Sequence, residues 1–232
     1  MKNILLIGGS YGIGLALAKT LQSENNIYVA SRTNEGLSGM NVTSILFDAT
    51  TDILDTSKLP EVIHGLVYCP GSINLRPFRG LKPEAFESDL QINFISLIKV
   101  IQTVLPNLTA AEQSSIVLFS SVAASMGMPF HTSVAASKGA IEGFAKALAA
   151  EYAPKIRVNV IAPSLTDTPL AEKFLSNEEK KEKSAQRHPL KRVGTPNDMA
   201  QMAVFLLGDN SSWVSGQVFH VDGGMSTLLV NA

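Results

Sequence analysis

The chain has 232 residues, 45% of them hydrophobic and 17% charged, which suits one large globular α/β domain with a substantial core and excludes a disordered chain. A formal net charge of −1 leaves no field to hold nucleic acid or an anionic membrane, and the one dense charge run, Glu178–Lys183, reads as a solvated helix face. A single cysteine, Cys69, excludes an intrachain disulfide and any metal site built on cysteine clusters, so no metal is expected and a reducing, cytoplasmic setting is.

In chain order, Ile4–Gly8 is a continuous apolar run ending in glycine, as a strand buried on both faces requires. Gly14–Leu21 has helical spacing, with Leu15, Ala18 and Leu21 on one side. Ile27–Ala30, Ser44–Phe47 and Val62–Tyr68 read as strands two to four. Pro83–Leu105 reads as helix in two pieces, closed by Pro106. Strand five is Ser115–Phe119. An Ala-rich helix over Val134–Glu151 follows, with Ser133 as its expected N-cap. Strand six is Arg157–Ile161, a helix runs from Thr195-Pro196 to Leu207, and Gln217–Val221 is the last strand. No apolar run is read as a membrane span. Alternating strands and helices predict a single domain over residues 1–232, with a doubly wound parallel sheet of about seven strands and helices on both faces. The long polar stretch Ser164–Arg192 falls past the carboxyl end of strand six, where ligands bind in such folds, and is expected to be a mobile substrate lid.

The first strand runs into Gly8-Gly9-Ser10-Tyr11-Gly12-Ile13-Gly14 and then a helix. A dinucleotide pyrophosphate needs a turn without β-carbons in its way and free N–H groups at a helix N-terminus, which this segment supplies. At the end of strand two stands Ser31-Arg32 instead of an acidic residue. Serine does not repel the extra phosphate of NADP and a guanidinium can pair with it, so NADP(H) is expected over NAD(H).

With its G-x-x-x-G-x-G spacing the whole chain resembles the short-chain dehydrogenase/reductase family, whose fold is a Rossmann fold. Asp48, followed by Ala49, matches the aspartate that touches the adenine. Val67–Gly71 stands where the family has N-N-A-G, with only Gly71 kept. Asn93, Ser121 and Ser137-Lys138 match the family's asparagine, serine and the end of its Y-x-x-S-K motif. Arg157-Val158-Asn159 through Pro163, Thr166 and Thr168 resembles its R-V-N…P-G…T segment, with Ser164 where glycine is usual, and Asp222-Gly223-Gly224 its terminal D-G-G.

The resemblance implies a cofactor site of Gly8, Ser10, Tyr11, Gly12, Ile13, Gly14, Ser31, Arg32, Asp48, Ala49, Gly71, Lys138, Pro163, Thr166 and Thr168. It implies hydride transfer to or from a carbonyl or secondary alcohol, with catalytic residues Ser121, Lys138 and Asn93, and a homotetramer or homodimer formed through the two long helices. The family's tyrosine, however, falls on Val134, which has no proton to give. His131, at the mouth of the same helix, is the candidate replacement, since a histidine suits proton transfer near neutral pH; its plain reading is a loop residue packed beside Met128 and Phe130. Lys138 or water acting directly is another route. The alternative function is a catalytically silent NADP(H)-binding protein that acts through partners or redox sensing. His64, His188 and His220 read as structural or solvent-facing, Cys69 as a packing residue, and Met126, Met128 and Phe130 as the lining of an apolar substrate pocket.

Overall fold

The computed structural model describes residues 1–230. Seven parallel strands lie in the order β3-β2-β1-β4-β5-β6-β7. They are β1 Asn3–Ile7, β2 Asn26–Ser31, β3 Val42–Leu46, β4 Gly65–Tyr68, β5 Ser114–Phe119, β6 Ile156–Pro163 and β7 Val218–Val221. The helices are α1 Gly12–Leu21, α2 Pro83–Leu90, α3 Ser96–Ala110, α4 Thr132–Tyr152, α5 Glu178–Gln186 and α6 Pro196–Leu207.

Strand alternation divides the core into two layers. Leu5 and Ile7 of β1 and Leu66 and Tyr68 of β4 pack with Leu97, Val104 and Ile141 from α3 and α4. Ile4, Leu6 and Val67 face the other way, onto Leu17 of α1 and Met199 and Leu206 of α6. The continuous apolar runs read from the sequence are therefore strands covered on both faces. The strand order reverses between β1 and β4, and a cleft opens there at their carboxyl ends.

Several expectations are corrected. Strand four begins at Gly65 and not at Val62: the Ile63 N–H goes to the Asn107 carbonyl of α3, away from the sheet, and only the His64 N–H reaches β1, at Asn3. Pro106 does not close its helix: α3 continues to Ala110, and Pro106 sits on the exposed side, where the carbonyl it leaves free can meet water. The two pieces of the long helix are joined by a π-helical turn over Gln91–Ile95. Helix α4 starts at Thr132, and Ser133 is not its N-cap; the Ser133 hydroxyl donates instead to the Asp89 carboxylate at 2.5 Å. The segment Pro83–Ala110 is in fact long and apolar enough to cross a membrane by length and composition, but Leu97, Val100, Ile101, Val104 and Leu108 are buried against the sheet. Thr195 caps α6 as expected, in a reciprocal capping box with Asp198.

Candidate active site

The turn after β1 is shaped by glycine. Gly8 and Gly12 have φ of +78° and +57°, in the left-handed region that other residues avoid. At Gly14 a β-carbon would stand 2.3 Å from the Gly8 carbonyl oxygen, so the first turn of α1 meets the strand end with no room for a side chain. No side chain caps α1, which leaves its first backbone N–H groups facing the cleft. Gly8, Ser10–Gly14, Ser31, Arg32, Asp48, Ala49, Gly71 and Thr168 line one elongated cleft. Pro163, Thr166 and Lys138 line the cavity that continues from it. A nicotinamide dinucleotide fits this layout: the pyrophosphate over the glycine turn, the adenine end at Asp48, the nicotinamide end toward Lys138.

At the far end, the buried Ser31 hydroxyl donates to the Thr33 carbonyl at 2.7 Å, which commits its hydrogen. The exposed Arg32 guanidinium donates to the Tyr11 hydroxyl at 3.1 Å, and the Ser10 and Thr33 hydroxyls are 3.2 Å apart. Thr33 was not singled out by the sequence, because its nearness to Ser10 depends on the β1–β2 pairing. The Thr50 hydroxyl and backbone N–H both donate to Asp48, which holds its carboxyl below the ordinary aspartate range.

The second cavity, about 330 Å³, is bounded by Ser121, Val134, Lys138 and His131, with the segment after β6 opposite. Lys138 is buried and its ammonium donates to the Phe119 carbonyl at 2.9 Å. Burial lowers its pKa from 10.5 to about 8, against the pull of Cys69 and Asp89. Burial likewise pushes the Cys69 thiol up to about 12, so this cysteine is a packing residue and not a thiolate. Ser121 receives the Ala123 N–H, while neighbouring Ser120 is spent on Glu142 of α4 at 2.6 Å.

Asn93 lies in the π-helical turn, fully buried, and its amide reaches the Asp89 carbonyl, Ser72 and Ser137. The sequence did not reveal Asp89. Its fully buried carboxylate accepts from Ser72, Asn74 and Ser133 at 2.5–2.7 Å, and so ties the loop after β4 to the start of α4.

Val134 is buried and lines the cavity one turn before Lys138. His131 also lines it, with Nδ1 held 2.7 Å from the Pro129 carbonyl. Phe130 before it has φ of +71°, a strained conformation for an aromatic residue. Met128 reaches the cavity, but Met126 and the half-exposed Phe130 do not, because the turn aims them away. His188, expected to be structural or solvent-facing, is buried and forms part of the cavity wall. His64 and His220 bond Asn3 and Ser125 outside the cavity. The segment after β6 is itself built, with a 3₁₀ helix Pro169–Phe174 followed by α5.

Replacing Lys138 by methionine is expected to raise stability at neutral pH. Below about pH 8 the lysine is charged in both folded and unfolded states, so the full cost of burying it is present. That cost, on the order of 3 kcal/mol from the lowered pKa, fades as pH rises toward 10.5. Less about 1 kcal/mol for the orphaned Phe119 carbonyl, Lys138→Met should melt several degrees higher at pH 7, with the gap closing at alkaline pH. Differential scanning calorimetry across that range checks it; a lower melting temperature at pH 7 would contradict the assignment.

The family described as enoyl-(acyl carrier protein) reductase matches residues 8–226. The chain belongs to the short-chain dehydrogenase/reductase family. It is 31% identical to the 3-oxoacyl-[acyl-carrier-protein] reductase FabG of Thermotoga maritima, over 97% of both chains. Among solved structures, it superposes on the ligand-free aldohexose dehydrogenase of Thermoplasma acidophilum with a TM-score of 0.91 at 26% identity, covering 100% of this chain and 96% of that one. A structure of ElxO with NADP bound has a TM-score of 0.88 at 25% identity, covering 98% and 99%. The chain is thus a short-chain oxidoreductase with a seven-stranded Rossmann fold, and the comparisons do not favour the silent-scaffold alternative.

Proposed function

We propose that this short-chain oxidoreductase uses NADP(H) to interconvert a carbonyl and a secondary alcohol, with a proton donor other than residue 134. The observation that carries the proposal is the continuity of the glycine-lined cleft with the cavity where Lys138 and Ser121 meet. The bound nicotinamide would supply or take the hydride. Lys138 would hold the ribose beside it, and Ser121 would donate to the substrate oxygen and orient it. Asn93 would keep the Lys138 end of the cavity in register through its bonds to Ser72 and Ser137. His131 would give the proton as the imidazolium: Nδ1–H stays on the Pro129 carbonyl, the Nε2 proton passes to the substrate oxygen, and the ring is left neutral. Residues 164–192, which carry Thr166, Thr168 and α5, would close over the site as a substrate lid.

Arg32 and the hydroxyls of Ser10 and Thr33 favour NADP(H), since each can donate to a phosphate and no carboxylate stands at the end of β2 to oppose it. NADPH should therefore bind more tightly than NADH, and Ser31→Asp should shift the preference toward NADH. Calorimetric titration of both cofactors decides this; equal affinities would end the NADP(H) assignment. A panel of ketones followed by NADPH oxidation tests turnover.

The outer face of α4 carries exposed Ala136, Gly143 and Ala147, with open space around Gly139 and Gly143. A smooth helix face of this kind permits close pairing of two copies, in keeping with a closed homodimer or homotetramer. Light scattering at micromolar concentration tests this, and a monomer would refute it.

A further inference from the structure

Ser164 and His188 are not used in the reaction proposed above, yet both face its cavity. Ser164 follows the last residue of β6, and His188 follows α5. The His188 ring is 4% exposed and both its nitrogens have partners. Nδ1 lies 2.9 Å from the Ser184 carbonyl and Nε2 lies 2.8 Å from Ser164 Oγ. A carbonyl can only accept, so Nδ1 carries the ring proton, and in the neutral ring Nε2 is an acceptor. An imidazole nitrogen is a stronger acceptor than a thioether, so the single hydrogen of Ser164 goes to His188 Nε2 at 2.8 Å and not to Met225 Sδ, the other acceptor it reaches, at 3.1 Å. Oγ keeps two lone pairs, and neither of these neighbours has a hydrogen to give it.

The surrounding wall is largely apolar, with Ile73, Leu75, Phe119, Met128 and Phe174 among its residues. An oxygen held as a pure acceptor in such a wall is costly to cover with hydrocarbon and favourable to cover with a donor. We infer that Ser164, oriented by His188, is a specificity-determining residue that accepts a hydrogen bond from a hydroxyl on the substrate, separate from the reacting carbonyl. The preferred substrates are then hydroxyketones, and the products diols. The inference rests on the carbonyl–alcohol reading above and narrows it to a chemical class. Methyl ethers of the same compounds present an acceptor to an acceptor and are disfavoured.

The test is a series of aryl hydroxyketones of differing spacing between carbonyl and hydroxyl, each beside its methyl ether, assayed with NADPH. Binding of the corresponding diols is measured calorimetrically alongside. At the best spacing the hydroxyketone should be preferred over its ether by roughly tenfold, chiefly in KM. Ser164→Ala should erase the preference while NADPH binding, the check on folding, is unchanged. His188→Leu should release the Ser164 hydrogen, so that the ether rises to match the hydroxyketone. A series with no preference at any spacing, or a preference that survives Ser164→Ala, would overturn the inference. If no ketone is reduced, the carbonyl–alcohol reading falls by itself, and diol binding with and without Ser164 still decides whether the hydroxyl site exists.

Discussion

Gly14→Ala is expected to remove dinucleotide binding from this protein. The added methyl would lie 2.3 Å from the Gly8 carbonyl oxygen and 2.8 Å from the Gly9 Cα. Both are backbone atoms in the turn that ends β1, so no side-chain rotation relieves the overlap. The only escape is for the first turn of α1 to move away from the strand. That movement withdraws the N–H groups proposed to meet the pyrophosphate. Charge-assisted hydrogen bonds contribute roughly 1.5–3 kcal/mol each, so losing two corresponds to at least about a 100-fold weaker complex. Gly80→Ala is the control, because a β-carbon there meets nothing within 4 Å and the residue lies outside the cleft. It should leave NADPH affinity unchanged. Calorimetric titration with NADPH and a thermal melt separate loss of binding from loss of fold. Affinity within threefold of the parent in a folded Gly14→Ala protein would displace the pyrophosphate from this turn.

What the sequence disclosed and what it withheld follow from the range of the forces involved. The strands were legible because a parallel sheet covered on both faces demands unbroken apolar runs such as Ile4–Ile7 and Ile116–Phe119. The cradle was legible because glycine is required by local backbone geometry, and the Thr195–Asp198 cap because its partners are three residues apart. Ser133 shows the limit: its local setting suggests a helix cap, but its hydroxyl is claimed by Asp89, 44 residues away. Pro106 was read as a stop from its own chemistry, while its position on the exposed side lets α3 continue. His188 was read as structural or solvent-facing, and its place in the cavity wall shows only once the chain after β6 brings it against Ser164, 24 residues earlier. Ser133 and His188 turn on partners distant in sequence, and Pro106 on which side of its helix meets the sheet, and a local pattern encodes neither.

The decisive variant for the proposed chemistry is His131→Ala. In this proposal the family's proton-donating tyrosine falls at the position of Val134, a residue that lines the cavity wall. Two histidines share that wall, and their surroundings assign them different tasks. His188 has both ring nitrogens committed, to Ser184 and to Ser164. His131 has one, Nδ1, held by the Pro129 carbonyl, and it follows Phe130, whose φ is +71°. Its remaining nitrogen is free to carry a proton to an alkoxide as hydride reaches the carbonyl carbon. His131→Ala should therefore lower turnover by ~10²–10⁴-fold, the usual worth of a general acid, with NADPH affinity little changed because the cleft residues are untouched. His131→Gln should fare no better, since an amide can bond the oxygen but cannot surrender a proton at neutral pH. Adding Val134→Tyr to the His131→Ala protein places a phenol one turn before Lys138, whose ammonium would favour its ionisation. Recovered turnover would show that the cavity accepts a donor from either position. Turnover in His131→Ala equal to that of the parent would remove this histidine from the mechanism and leave Lys138, with its pKa already lowered to about 8, or water as the source of the proton.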